Sequence, residues 1–327
     1  TLILFRDRRV ASTATLLLNV TLMTAVGTMI VTPDAPLLVA SSVLLFALAK
    51  VMQTGHGAWW LAVGAAAGCA VLSKYTALFF GPAILIWLAA VPRLRHWLVS
   101  PWLYIGGLVA LMLFAPVILW NADHGWVSFI KQMGRAHIED FRPVFIAELI
   151  PTQIAFATPL VWILGAMGLY ALLRRRAGTL PARVLVNVMF WTIVAYFVWH
   201  SLHARVEANW FAPVYPAFAV AAAVAAHLVQ WEPRQQRMVD FCRRWAVPGG
   251  VLACGLDLGA GAAVHRHTHP HLQGQRAVHV LEPAVAGSAV GELLGRWTDV
   301  LTDVVEKGRA AGADFGPFET GEIVALV

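Results

Sequence analysis

Residues 201–218 read SLHARVEANWFAPVYPAF. His203, Arg205, Glu207, Asn209 and Trp210 fall within eight positions of this stretch, and the chain on both sides is almost wholly apolar. A pyranose ring is held by fixed donors and acceptors beside an apolar face. Arg205, Glu207, Asn209 and Trp210 offer those groups in one place, with His203 as a further sugar or acceptor contact. The planar fork of Arg205 suits a phosphate equally well. A solvated surface loop is the alternative reading. Pro213 and Pro216 let a helix start there but not extend upstream, so residues 201–212 are expected as a loop.

Further polar residues stand out against the apolar background. Asp34 lies in the Pro-flanked turn TPDAP, where it either caps a helix or serves as an acid orienting a metal or an acceptor hydroxyl. Lys74, in SKY, either snorkels to the membrane edge or meets a phosphate, because an ionisable group placed there is a functional candidate by default. Asn121 and His124 occur in WNADHGW. The connection over residues 122–150 is long and contains WVSFIKQMGRAHIEDF, with Lys131, Arg135 and His137 among aromatics. It reads as an interfacial amphipathic helix or as a cavity wall in which Arg135 meets phosphate or sugar. Asp34 and Glu207 are the carboxylates available to take a proton from a hydroxyl.

These residues need elements to position them. Of 327 residues, 59% are hydrophobic and 13% charged, against about 45–50% and 25% in soluble domains. The mean hydropathy is +0.68. An all-α polytopic membrane protein follows. Nine apolar segments approach the length of about 20 residues that a spanning helix needs: roughly 10–31, 34–52, 57–73, 75–91, 103–121, 151–173, 183–200, 211–231 and 245–264. If Arg6, Arg8 and Arg9 stay in the cytoplasm, then Lys50, Arg93, Arg95, Arg174, Arg175, Arg176, Arg183, Arg234, Arg237, Arg243 and Arg244 fall inside as well. Outside loops hold only Lys74, Lys131, Arg135, Arg142 and Arg205, as the retention of basic residues on the cytoplasmic side requires, and the tail holds the other five of the 24. The net charge of +6 therefore reflects topology and gives no reason to expect nucleic acid as a partner. The unusual polar residues gather at the external face.

Residues 1–264 read as the transmembrane domain and 265–327 as a short extracytoplasmic tail. Within the tail, Trp297, Val300, Leu301, Val304 and Val305 recur at helical spacing. HRHTHPH at 265–271 has histidines at alternate positions without a partner at standard metal spacing, so a solvated linker is expected. Cys69, Cys242 and Cys254 are isolated and read as packing residues. Asp257 falls inside the last apolar segment and has no assigned role.

TPDAPLL, GAAAGCAVLSKYTALFFGPAILIWL, FAPVILWNADHGWVSFIKQMGR and EANWFAPVYPAF occur in this order over residues 10–231. In order and spacing they resemble the polytopic GT-C glycosyltransferases of the protein-mannosyltransferase-like and aminoarabinose-transferase-like group (glycosyltransferase family 39 type). The resemblance implies transfer of a sugar from a polyprenyl-phosphate donor to a lipid, glycan or protein acceptor outside the cytoplasmic membrane. Members of the group differ in whether they use a divalent metal. The leaving phosphate is already anionic, so it calls for cations, and Lys74, Arg135 and Arg205 are the external ones. Preorganised charge of this kind is often the largest catalytic term. The family's catalytic acid lies on the loop after its first spanning helix, and a second acid matches Asp34. The stub before Arg6 is too short to span, so the chain is expected to be a fragment lacking that helix and loop, with donor binding as its share of the chemistry. A transporter or flippase of a lipid-linked sugar is the rival reading, expected to show charged or broken helices near the midplane. A non-catalytic membrane subunit is a third.

Overall fold

The computed structural model describes residues 1–27, 32–135 and 141–268. It divides into two units, residues 1–29 with 33–250 and residues 30–32 with 251–327. The described elements are all helical. Besides two four-residue helices at Leu2–Phe5 and Leu22–Ala25, they are in chain order α1 (Arg8–Asn19), α2 (Asp34–Thr54), α3 (Trp59–Ser73), α4 (Phe80–Ala90), α5 (Pro101–Asp123), α6 (Val127–Arg135), α7 (Val144–Ala157), α8 (Pro159–Leu173), α9 (Leu180–His200), α10 (Tyr215–His227) and α11 (Pro233–Thr268). Short 3-10 helices at Tyr75–Phe79, Pro92–Val99 and Ala208–Val214 join them.

Helices α2, α5 and α9 and the segment Ala208–His227 are long and apolar enough to cross a membrane. Helices α7 and α8 together form a fifth candidate, bent by 103°. The stretches Trp59–Ser73 and Tyr75–Ala90 are apolar but shorter. The expected span over residues 10–31 is not continuous. Helix α1 ends at Asn19, and Thr21 starts a new turn by accepting the Thr24 N–H on its hydroxyl at 3.3 Å. The expected span over 151–173 begins earlier, at Val144, and breaks at Thr158. Pro159 opens α8 and cannot continue α7, since a proline forces the residue before it out of the helical region. Thr158 takes φ 62° there. The tail helix near Trp297 and the histidines at 269 and 271 lie outside the described residues. So do the side chains of His265, His267, Cys254 and Asp257.

Within the first unit α10 is central, with every residue from Tyr215 to Ala226 buried. Its alanine-rich sequence explains why. In a bilayer, helices associate by close van der Waals packing rather than by expelling water, which favours small residues at crossings. Gly165 faces Phe218, and Gly168 meets the backbone of Ala221 so closely that a Cβ would overlap its carbonyl. Gly64 of α3 and Gly106 of α5 make a second crossing of this kind. Two buried indoles find acceptors near helix ends: Trp87 Nε1 donates to Pro181 O at 2.9 Å and Trp231 Nε1 to Ala225 O at 3.0 Å.

The connectivity assigns two ends to the bundle. The start of α2, the end of α3, the start of α4 and the residues after α9 lie at one end. The ends of α4, α8 and α10 and the start of α9 lie at the other, with Arg93, Arg174, Arg175, Arg176 and Arg183.

Candidate functional site

Lys74 is the point at which α3 stops. Its backbone is extended (φ −160°, ψ 135°), so its N–H still closes the last turn on Ala70 O while the chain turns into the next 3-10 helix. This break swings the ammonium towards the start of α2. Lys74 Nζ donates to Asp34 Oδ1 at 2.8 Å and to Asn209 O at 3.1 Å. Asn209 Nδ2 donates to Asp34 Oδ2 at 2.9 Å. Three residues from distant parts of the chain thus close a hydrogen-bonded ring. The Asp34 side chain is 4% exposed and that of Lys74 is 20% exposed. A carboxylate so buried has to be paired and hydrogen-bonded, and both its oxygens are engaged.

Asp34 therefore does not cap its helix. Pro33 holds the cap position, and Asp34 is the first helical residue, where a negative charge complements the helix dipole. The partner of this carboxylate is the Lys74 ammonium at 2.8 Å. No group of three or more His, Cys, Asp or Glu side chains able to hold a metal occurs among the described residues.

Two residues of α7 that sequence reasoning missed complete the arrangement. Glu148 Oε2 pairs with Arg205 Nε at 3.0 Å, and Gln153 Nε2 donates to Ala208 O at 2.9 Å. The segment 205–209 is thus held from α7 on one side and from Asp34 and Lys74 on the other. The available signal was Glu148 and Gln153, polar residues within a largely apolar run. Glu207, between the two anchors, is partly buried. Its carboxylate makes no hydrogen bond or ion pair with the described residues. Trp210 packs against Phe197 and His200, with centroids 5.4 and 6.2 Å apart.

The other expected site residues take separate places. His203 sits against Trp199 and Phe141 and bonds Trp199 O through Nδ1 at 3.2 Å. Asn121 is fully buried and structural: it donates to Val117 O and accepts the Ser128 N–H, fixing the turn into α6. His124 stacks on Trp120 with centroids 4.2 Å apart. Helix α6 docks beside Lys74 through Tyr75, whose ring meets Phe129 at 5.6 Å and Phe114 at 6.0 Å. The Arg135 side chain and His137 lie outside the described residues.

Residues 3–120 match the family described as dolichyl-phosphate-mannose-protein mannosyltransferase. This part includes Asp34 and Lys74. A crystal structure of ArnT from Cupriavidus metallidurans bound to undecaprenyl phosphate superposes with a TM-score of 0.56 at 18% identity, over 98% of this chain and 56% of that one. The fold is that of a polytopic GT-C membrane protein. The chain spans about half the length of the ArnT structure. No curated protein matches it. Arg205, Glu207 and Asn209 lie beyond the part matched by the family.

Proposed function

We propose that the protein is a membrane glycosyltransferase that takes a sugar from a polyprenyl-phosphate donor and passes it to a lipid, glycan or protein hydroxyl at the extracytoplasmic face. One observation carries the reading. The chain gathers Asp34, Lys74 and Asn209 into a partly buried polar ring at one bundle end, beside Arg205 and Glu207. The family match over Asp34 and Lys74 and the undecaprenyl phosphate held by ArnT support it.

In this reading Lys74 and Arg205 receive the donor phosphate. Each already has a carboxylate partner, so a phosphate replaces or joins an anion rather than meeting a bare cation. The Arg205–Glu148 pair is 39% and 47% exposed, and pairs of that kind are worth about 0–1 kcal/mol. It exchanges readily with the donor phosphodiester, and the phosphate monoester left after transfer carries the higher charge. Asp34 has both oxygens engaged and acts by holding Lys74 and Asn209 in place. Glu207 is the better-placed proton acceptor. Asn209 and Trp210 offer an amide and an aromatic face for a sugar.

The test is binding of a polyprenyl-phosphate analogue to the purified protein. Arg205→Ala removes charge-assisted contacts worth about 1.5–3 kcal/mol, a loss of roughly tenfold or more in affinity. Unchanged affinity in both Arg205→Ala and Lys74→Ala removes the donor site from this face.

The bend at Thr158 favours a second reading, a transporter of a lipid-linked sugar, because transporters use broken helices. Reconstituted vesicles separate the two. Flux of a labelled lipid-linked sugar without transfer supports the transporter.

A further inference from the structure

The two cations of the site are held in different ways. Lys74 is locked to Asp34, a buried carboxylate whose second oxygen accepts from Asn209. Arg205 is paired with Glu148 at 3.0 Å, and both side chains of that pair are exposed. Among the described residues the Glu148 carboxylate makes no other ion pair. Lys74 therefore has a permanent partner and Arg205 a removable one.

Helix α7 keeps Glu148 at this place without depending on it. The bend of 103° at Thr158 turns α7 away from the axis of α8. Leu149, next to Glu148, is buried. Gln153, about 7.5 Å further along the helix, donates to Ala208 O at 2.9 Å. Neither contact uses Glu148. The helix thus stays docked while the Glu148 side chain rotates off Arg205 into solvent, and an exposed pair costs little to separate.

Charge decides when this matters most. In the glycosyltransferase reading, the bond between the anomeric carbon of the sugar and a phosphate oxygen breaks. The phosphate oxygen keeps the electron pair, the anomeric carbon bonds to the acceptor oxygen, and the acceptor proton goes to a base such as Glu207. The donor phosphodiester carries a single negative charge. The monoester left behind carries about −1.5 to −2 at neutral pH, and attraction to a cation grows with that charge. Lys74 and Arg205 therefore hold the product more tightly than the donor, which slows the next turnover. Glu148 is the anion within reach of Arg205 that counters this. Once the contact between phosphate and Arg205 breaks, Glu148 takes the guanidinium and keeps the contact from re-forming. We propose that Glu148 is a tethered competitor that speeds departure of the lipid monophosphate product by replacing it on Arg205. The proposal rests on the reading of Arg205 as a donor-phosphate ligand.

The test is dissociation of fluorescent farnesyl phosphate, a short-chain polyprenyl monophosphate, from the purified protein in neutral detergent. Glu148→Gln is expected to slow dissociation and tighten binding by about two- to fivefold, the range that an exposed pair allows. In an Arg205→Ala background the same substitution is expected to change neither. Glu148 is exposed, so the variant keeps its fold. Asp123→Asn removes a carboxylate from an exposed position at the end of α5, at the same end of the bundle, and is expected to leave both quantities as they are. Unchanged or faster dissociation in Glu148→Gln, with weaker binding in Arg205→Ala, overturns the proposal and leaves the donor-phosphate reading standing. An equal gain in Glu148→Gln and Asp123→Asn also overturns it, because a diffuse field then accounts for the effect. If neither Arg205→Ala nor Lys74→Ala weakens binding, the donor-phosphate reading fails and the proposal fails with it.

Discussion

Lys74 Nζ lies 2.8 Å from Asp34 Oδ1, although the two residues are 40 positions apart. The contact joins the end of α3 to the start of α2, and Asn209 closes it from a third direction. A chain this poor in charge has buried a carboxylate and held an ammonium against it. Such a pair is weak grounds for stability, because desolvation offsets the Coulomb attraction, but breaking it from one side is expensive.

A double-mutant cycle is expected to show this asymmetry. Lys74→Met leaves the Asp34 carboxylate buried and short of its cation, at a cost of about 3 kcal/mol. Asp34→Asn with Lys74→Met together should cost clearly less than the sum of the single changes. Thermal unfolding in detergent measures it. Strict additivity means that the contact carries no coupling.

Arg205 and Glu148 should behave differently, because both are well exposed. Glu148→Gln is expected to change stability by less than about 1 kcal/mol. Gln153→Ala removes the donor to Ala208 O and should loosen residues 205–209, seen as faster amide exchange there. If exchange is unchanged, α7 does not hold this segment.

Close helix crossings predict sharp steric limits. At Gly168 a Cβ overlaps the Ala221 carbonyl, whereas at Gly107 it meets nothing within 4 Å. Gly168→Val should therefore destabilise by about 1–3 kcal/mol through overpacking, and Gly107→Val much less. Melting temperatures compare the two. Equal effects at both positions mean that α8 and α10 are not packed this tightly.

The two bundle ends predict a labelling pattern. In a background without native cysteines, a single cysteine near Ala208 should react with an impermeant thiol reagent added outside, and one near Arg175 should be shielded. The reverse pattern inverts the protein in the membrane and moves the proposed donor site to the cytoplasmic side.

Hydropathy and basic-residue spacing were enough to reveal a polytopic helical protein with its unusual polar residues near one end. Both signals are local: twenty apolar residues make a span, and antiparallel threading then sorts the ends. Asp34, Lys74 and Asn209 were legible as candidates because polar groups are costly in apolar surroundings. Their partners were not legible. Nothing in TPDAP indicates whether Asp34 caps its own backbone or reaches Lys74, since the choice depends on how α2 and α3 pack. Asn121 drew attention for the same compositional reason as Asn209, yet it only fixes a turn into α6. Glu148 and Gln153 escaped notice because their partners lie over 50 residues away. The break at Thr158 was hidden in continuous hydropathy, which records apolar length but not direction. Sequence thus determined which residues are out of place in a membrane. Tertiary packing decided which of them meet, because hydrogen bonds act over about 3 Å and only the folded bundle fixes separations that small.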